Sequence, residues 1–168
     1  MIPTIVGGIL AISGGFAAET FSNWQKIRNL RSAHAGELRA YLSLLERRQY
    51  IKVLQGHVAY MKENPGSVSI FAVRIAPGSN NNQIFSETAA QIGILPAPLP
   101  EEIVGLHYLI QSIFSDFALL VEAEADKSGK NWVCDPEECL RVHEDLIVLI
   151  ETARRDAADL INLLEAKP

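Results

Sequence analysis

The sequence predicts an all-α protein: an N-terminal transmembrane helix that continues into an antiparallel three- to four-helix bundle. Three observations carry that expectation. Met1 to Ala18 holds no charged side chain. Beyond Trp24, apolar residues recur at helical spacing and are interrupted only by Pro- and Gly-rich stretches. The last segment, Cys139 to Leu164, alternates steps of four and three residues, the seam of a helix packed lengthwise on its neighbours. The 168 residues thus divide into an anchor, 1–23, and a helical domain, 24–168, with helices expected at about 24–63, 83–92, 101–126 and 136–165.

The anchor comes first. Eighteen uncharged residues at 1.5 Å rise reach about 27 Å, close to the hydrocarbon thickness of a bilayer. Glu19 then falls at the interface, and Trp24, Lys26, Arg28 and Arg31 form an interfacial anchor of aromatic and basic side chains. Positive charge follows the segment and none but the terminal amine precedes it, which places the N-terminus outside and the helical domain in the cytoplasm. A cleaved signal peptide would want a basic residue before the apolar run, and a core helix of a soluble protein remains the rival reading. Gly7, Ala11, Gly14, Gly15 and Ala18 fall on one face at spacings of three and four, where small residues let two membrane helices approach closely.

In the helix expected at 24–63, Ile27, Leu30, His34, Leu38, Tyr41 and Leu45 form one apolar stripe, continued by Tyr50 or Ile51, Leu54, Val58 and Met61. A bend near Gly36 or Gly56 is expected, because glycine costs about 1 kcal/mol relative to alanine inside a helix. Asn64-Pro65-Gly66 stops the helix. Residues 67–76 are β-branched and roughly alternating but have no strand partner, so with the turn cluster 77–82 they read as an extended packed loop. A short helix follows, with Gly93 placed as its left-handed terminator.

Ile94 to Pro100 is a proline-stiffened connector, and Leu95, Pro96, Pro98 and Leu99 are its candidate interaction residues, against the alternative that it simply packs. Pro100 suits a first helical turn, followed by Glu101 and Glu102. Ile103, Leu106, Ile110, Phe114, Phe117 and Val121 make the stripe of that helix. The last helix opens with Asp135 as N-cap, Pro136 at N1 and Glu138 at N3, the pattern of a capping box.

Net charge is −5, which argues against a nucleic-acid partner, and two cysteines build no disulfide framework. Charge is uneven: residues 24–52 sum to +5 and residues 101–168 to −9, so the basic helix and the acidic pair are expected to face each other within the chain. Cys134, Cys139 and His143 invite a metal reading, yet Cys134 and Cys139 also hold the N′ and N4 positions of a hydrophobic staple and no fourth ligand lies nearby. His143-Glu144 begins an HExxH motif that ends in Ile147, and no histidine has a glutamate three residues before it, so neither a zinc-protease pair nor a bundle di-iron pair is present. No phosphate loop, dinucleotide fingerprint or nucleophile elbow occurs. An enzyme using His34 and Glu37 would have no motif behind it. No catalytic residue, metal, cofactor or small-molecule substrate is therefore expected.

Taken together, Trp24-x3-Arg28-x2-Arg31, Ala35-Gly36-Glu37-Leu38, Glu46-Arg47-Arg48-x-Tyr50 and Ile92-Gly93-Ile94-Leu95-Pro96-x-Pro98-Leu99 resemble a group of small uncharacterised bacterial proteins over residues 5–120. The resemblance implies one N-terminal span in the bacterial inner membrane and a cytoplasmic helical domain, and supplies no catalytic residues. The expected role is a membrane-anchored interaction, scaffold or self-assembly module whose partners are the lipid bilayer and a second copy or another protein. The alternative is a soluble helical-bundle binding protein with residues 1–23 packed in its own core.

Overall fold

The structure is a computed structural model that describes residues 2–73, 83–126 and 131–166, with side chains from Glu19 onward, Trp132 excepted. Every regular element among the described residues is helical. Five α-helices follow in order: α1 (Ile2–Arg48), α2 (Tyr50–Glu63), α3 (Gln83–Thr88), α4 (Leu99–Ala125) and α5 (Pro136–Glu165). Single 3-10 stretches at Ala89–Ile94 and Trp132–Cys134 lead into α4 and α5. The Gly7–Ala18 packing face, the turn at 77–82 and the loop at 127–130 lie outside the described residues or side chains.

The helix expected at 24–63 is two helices, and the break falls at Gln49 rather than at Gly36 or Gly56. Gln49 takes a left-handed conformation, with φ +51° and ψ +36°. Periodicity explains the site. Leu38 to Leu45 and Leu54 to Met61 are each seven residues, close to two full turns, so each pair shares a face. Leu45 to Leu54 is nine residues, two and a half turns, which in one straight helix would put them on opposite sides. A single left-handed residue resets the phase, so both stripes meet the same core. Its backbone stays paired: Gln49 N–H donates to Leu45 C=O at 3.1 Å and Gln49 C=O accepts from Val53 N–H at 3.1 Å. Gly36 and Gly56 are exposed with open space where a Cβ would stand, and the helices run through both without a break.

α5 is the central helix, packed against α1, α2 and α4. α1 and α2 meet it in reverse order. Arg31 reaches its C-terminal carbonyls, while Lys62 pairs with Glu144 near its start, N–O 2.6 Å. The α5 seam residues Cys139, His143, Leu146, Ile150, Ala153, Ala157, Leu160 and Leu164 are all buried. Asp135 caps the helix through Oδ1, which accepts from the amides of Glu137 at 3.0 Å and Glu138 at 3.2 Å. The Glu138 carboxylate turns to Arg141 at 2.6 Å, so only the Asp135 half of the expected box is built.

α4 is long and apolar enough to cross a membrane by length and composition. Ile103, Leu106, Ile110, Ile113, Phe117 and Leu120 nonetheless face the core, as in the central helix of a packed domain. Gly93 is not a left-handed terminator: it lies inside the 3-10 stretch, which ends where Leu95 becomes extended. Among the described residues the glycine at positive φ is Gly66, at +87°, in the turn after α2. Residues 67–73 carry no regular secondary structure and pack over α2, α4 and α5, with Phe71 against Tyr50, His57 and Phe117 and its amide on His143.

Candidate functional site

Two places concentrate functional side chains: the point where α1 leaves the packed body, and a polar cluster buried inside it. At the first, side chains 19–26 of α1 are all exposed and burial begins at Ile27 and Leu30. Phe21 and Trp24 stack at 6.2 Å between ring centroids and remain 63% and 46% exposed. The Arg28 guanidinium lies 5.5 Å above the Trp24 ring, within cation–π range. Of the four expected interfacial residues, Trp24, Lys26 and Arg28 are therefore at the surface. Arg31 is not.

Arg31 is buried and donates to three main-chain oxygens at the end of α5: Nε to Leu164 at 2.8 Å, and Nη2 to Leu163 at 2.8 Å and Ala166 at 2.6 Å. Those carbonyls lack intrahelical partners, and the helix dipole is negative there, so a guanidinium fork satisfies geometry and charge together. In the expected connector, Leu95 and Leu99 are buried in the core, while Pro96 and Pro98 are exposed.

Of the second place, the sequence offered only His34 and Glu37, a pair without a motif. His34 and Glu37 sit one turn apart on α1, and His107 on α4 comes to meet them. One nitrogen from each imidazole and one Glu37 oxygen all lie within 4.8 Å of one another. His107 Nε2 is 3.6 Å from Glu37 Oε2, a close approach that is too long for a hydrogen bond. The imidazoles meet edge to face at 6.2 Å, and Phe85 stacks on His107 at 4.0 Å. His34 is fully buried, and His107 is 2% exposed.

The short helix α3 completes the surroundings. Glu37 Oε1 accepts from Ile84 N–H at 2.9 Å and Oε2 from Phe85 N–H at 3.3 Å, so a carboxylate on α1 caps the first turn of α3. Thr88 Oγ1 donates to Ile84 C=O at 2.6 Å and lies 3.1 Å from His34 Nε2. Because that hydroxyl proton is already committed, His34 Nε2–H is the donor to Thr88, which leaves Nδ1 with a bare lone pair.

Burial pushes the His34 imidazole below its ordinary value and, with His34 adjacent, lowers His107 to about 4. Burial raises the Glu37 carboxyl, opposed by its two amide donors. Burial, and then Glu37, raises the Tyr41 phenol one turn further on. The site therefore presents two imidazoles whose protonation is disfavoured by burial and a carboxyl group held by amides, an imidazole-rich donor set of the kind that binds borderline metal ions.

The Cys134, Cys139 and His143 group is differently employed. His143 Nδ1–H donates to Cys139 C=O at 2.8 Å, and Nε2 accepts from Phe71 N–H at 3.0 Å, so both ring nitrogens are spent on backbone. The thiols are free and turn to separate carbonyls, Cys139 to Ser69 at 3.9 Å and Cys134 to Ala123 at 3.8 Å. No histidine in the sequence has a glutamate three residues before it. His34 precedes Glu37 by the same interval, and either order puts the pair on one helical face. A histidine on each of two core stripes was the other available sign.

No protein-family model, curated protein or solved structure matches this chain.

Proposed function

We propose that the protein is a single-pass inner-membrane protein, with residues 1–23 spanning the bilayer, the N-terminus outside and an antiparallel helical bundle held in the cytoplasm as an interaction or self-assembly module. The observation that carries this reading is the exit of α1 from the body. The helix runs unbroken to Ile2, yet its side chains at 19–26 are exposed and burial starts at Ile27. Exposed Phe21 and Trp24, with Arg28 on the indole, have the aromatic and basic character of a headgroup-level belt. The uncharged stretch before them has the length to span, and the resemblance to single-span bacterial proteins agrees with it.

The test is fractionation of the full-length chain. A membrane pellet that resists carbonate, with the body digested only from the cytoplasmic side, is the expected result. Quantitative release of intact protein by carbonate overturns the anchor. Self-assembly through the small-residue face is tested by crosslinking in the membrane, where Gly7→Leu and Gly14→Leu are expected to abolish the dimer band.

A further inference from the structure

Among the described residues, every buried side-chain nitrogen or oxygen without a hydrogen-bond partner belongs to one cluster: His34 Nδ1, His107 Nδ1 and His107 Nε2. An unsatisfied buried polar group costs about 1–3 kcal/mol, so cores rarely leave one, and rarely three together. The same core shows how it treats a histidine used only for packing. His143 is as deeply buried as His34 and has both nitrogens bonded to backbone.

We propose that His34, Glu37 and His107 bind a divalent first-row transition-metal ion of the zinc or ferrous type. Two imidazoles and one carboxylate form the facial set used for such ions, and a site for magnesium or calcium would be built from oxygen alone. The geometry is close. Metal–nitrogen and metal–oxygen bonds of about 2.1 Å put neighbouring ligand atoms roughly 3.0–3.5 Å apart. The His107 Nε2 to Glu37 Oε2 separation is already 3.6 Å, and the whole donor set spans no more than 4.8 Å. Each carboxylate oxygen has two lone pairs, so Glu37 can keep its α3 amides and still face a cation.

The outer contact of His34 fits the same role. A metal-binding histidine normally donates its second ring N–H to an oriented acceptor. His34 Nε2 has Thr88 Oγ1, itself fixed by Ile84 C=O. Phe85 covers one face of His107 and keeps that side dry. The ion would join α1 to α4 directly, and through Glu37 and Thr88 it would also hold α3. The inference stands apart from membrane anchoring, since none of its residues precedes His34.

The experiment uses full-length protein in mild detergent, stripped with chelator and then titrated with Zn2+, Co2+ or Mg2+. One zinc per chain, a melting temperature raised by several degrees and visible Co2+ absorption are expected, with no response to Mg2+. Glu37→Gln and His107→Ala are expected to lose the stoichiometric ion, Thr88→Val to weaken binding roughly 10–100-fold, and His57→Ala to leave it unchanged. Glu37→Gln keeps one acceptor oxygen for the α3 amides and loses the other, so circular dichroism is read beside metal uptake to separate loss of metal from loss of fold. A folded protein that takes up no Zn2+ and shows no thermal shift overturns the proposal. So does uptake that is equal in wild type and in folded Glu37→Gln.

Discussion

Replacing Arg31 by methionine removes the guanidinium that closes the end of α5 while keeping much of the aliphatic stem. The wild-type side chain makes three charge-assisted hydrogen bonds, at 2.8, 2.8 and 2.6 Å. Hydrogen bonds to charged groups contribute about 1.5–3 kcal/mol each, and a cation at a partly buried helix C-terminus adds up to roughly 2 kcal/mol. The sum is an upper bound. Leu163 and Ala166 are exposed, so water replaces part of what their carbonyls lose. About 3 kcal/mol of destabilisation remains for Arg31→Met. Arg31→Lys, which keeps charge and loses the fork, is expected to recover about 1 kcal/mol of it. Arg28→Met, three residues away on an exposed ring, should cost under about 1 kcal/mol. Urea unfolding of full-length protein in non-ionic detergent reads all three. An Arg31→Met loss below about 1 kcal/mol, or equal losses at Arg28 and Arg31, would refute the capping role and return Arg31 to the surface belt.

Three shorter predictions use the same assay. Gln49→Gly relieves a left-handed residue that costs about 1–2 kcal/mol, offset by roughly 0.5–1 kcal/mol of extra glycine entropy, so a gain of about 0.5–1 kcal/mol is expected; a loss would contradict the strain. Asp135→Ala removes the acceptor for two α5 amides and should cost about 1 kcal/mol, with Asp135→Asn nearly neutral. In chelator, stability should fall with acid between pH 6.5 and 4, because unfolded His107 binds a proton near 6.5 while the folded state resists until about 4. That window is worth about 3 kcal/mol for His107, and His34 and His143 act in the same direction. Glu37, whose carboxyl is raised, has the opposite sign; urea midpoints that stay level or rise toward pH 4 would show that these rings are not buried as neutral groups.

Local patterns were legible where one helix alone dictates them. The eight seam positions of α5 repeat at a fixed interval, and burial of all eight needs only that something cover that face. The Asp135 cap is equally local. Phase relations between stripes were harder: Leu45 and Leu54 each sit in a good run, and only the nine-residue gap between the runs betrays the reset at Gln49. The buried cluster was least visible, because His107 is 73 residues from His34 and no short motif encloses both. The His34-x-x-Glu37 half stood in plain order, and the Glu37 carboxylate disguised itself as a cap for α3.

The segment charges show why a sum misleads about what charge does in a fold. A basic 24–52 segment and an acidic 101–168 segment suggest ion pairs along their shared face, yet the ion pair that joins them among the described residues, Arg39 with Glu165, is about half exposed on both sides. Lys62 with Glu144 is a second cross-helix pair, equally wet. Exposed pairs of this kind contribute about 0–1 kcal/mol each. The best-buried cation of the basic helix, Arg31, takes the carbonyls of Leu163, Leu164 and Ala166 instead of a carboxylate among the described residues. A helix end is worth more than a side-chain anion here because its dipole is fixed and its carbonyls are held in place by the helix, so little is lost in ordering them. The base of the exposed α1 segment is thereby clamped to α5 one turn before His34, which makes the rigid start of the body and the first residue of the buried cluster neighbours on one helix.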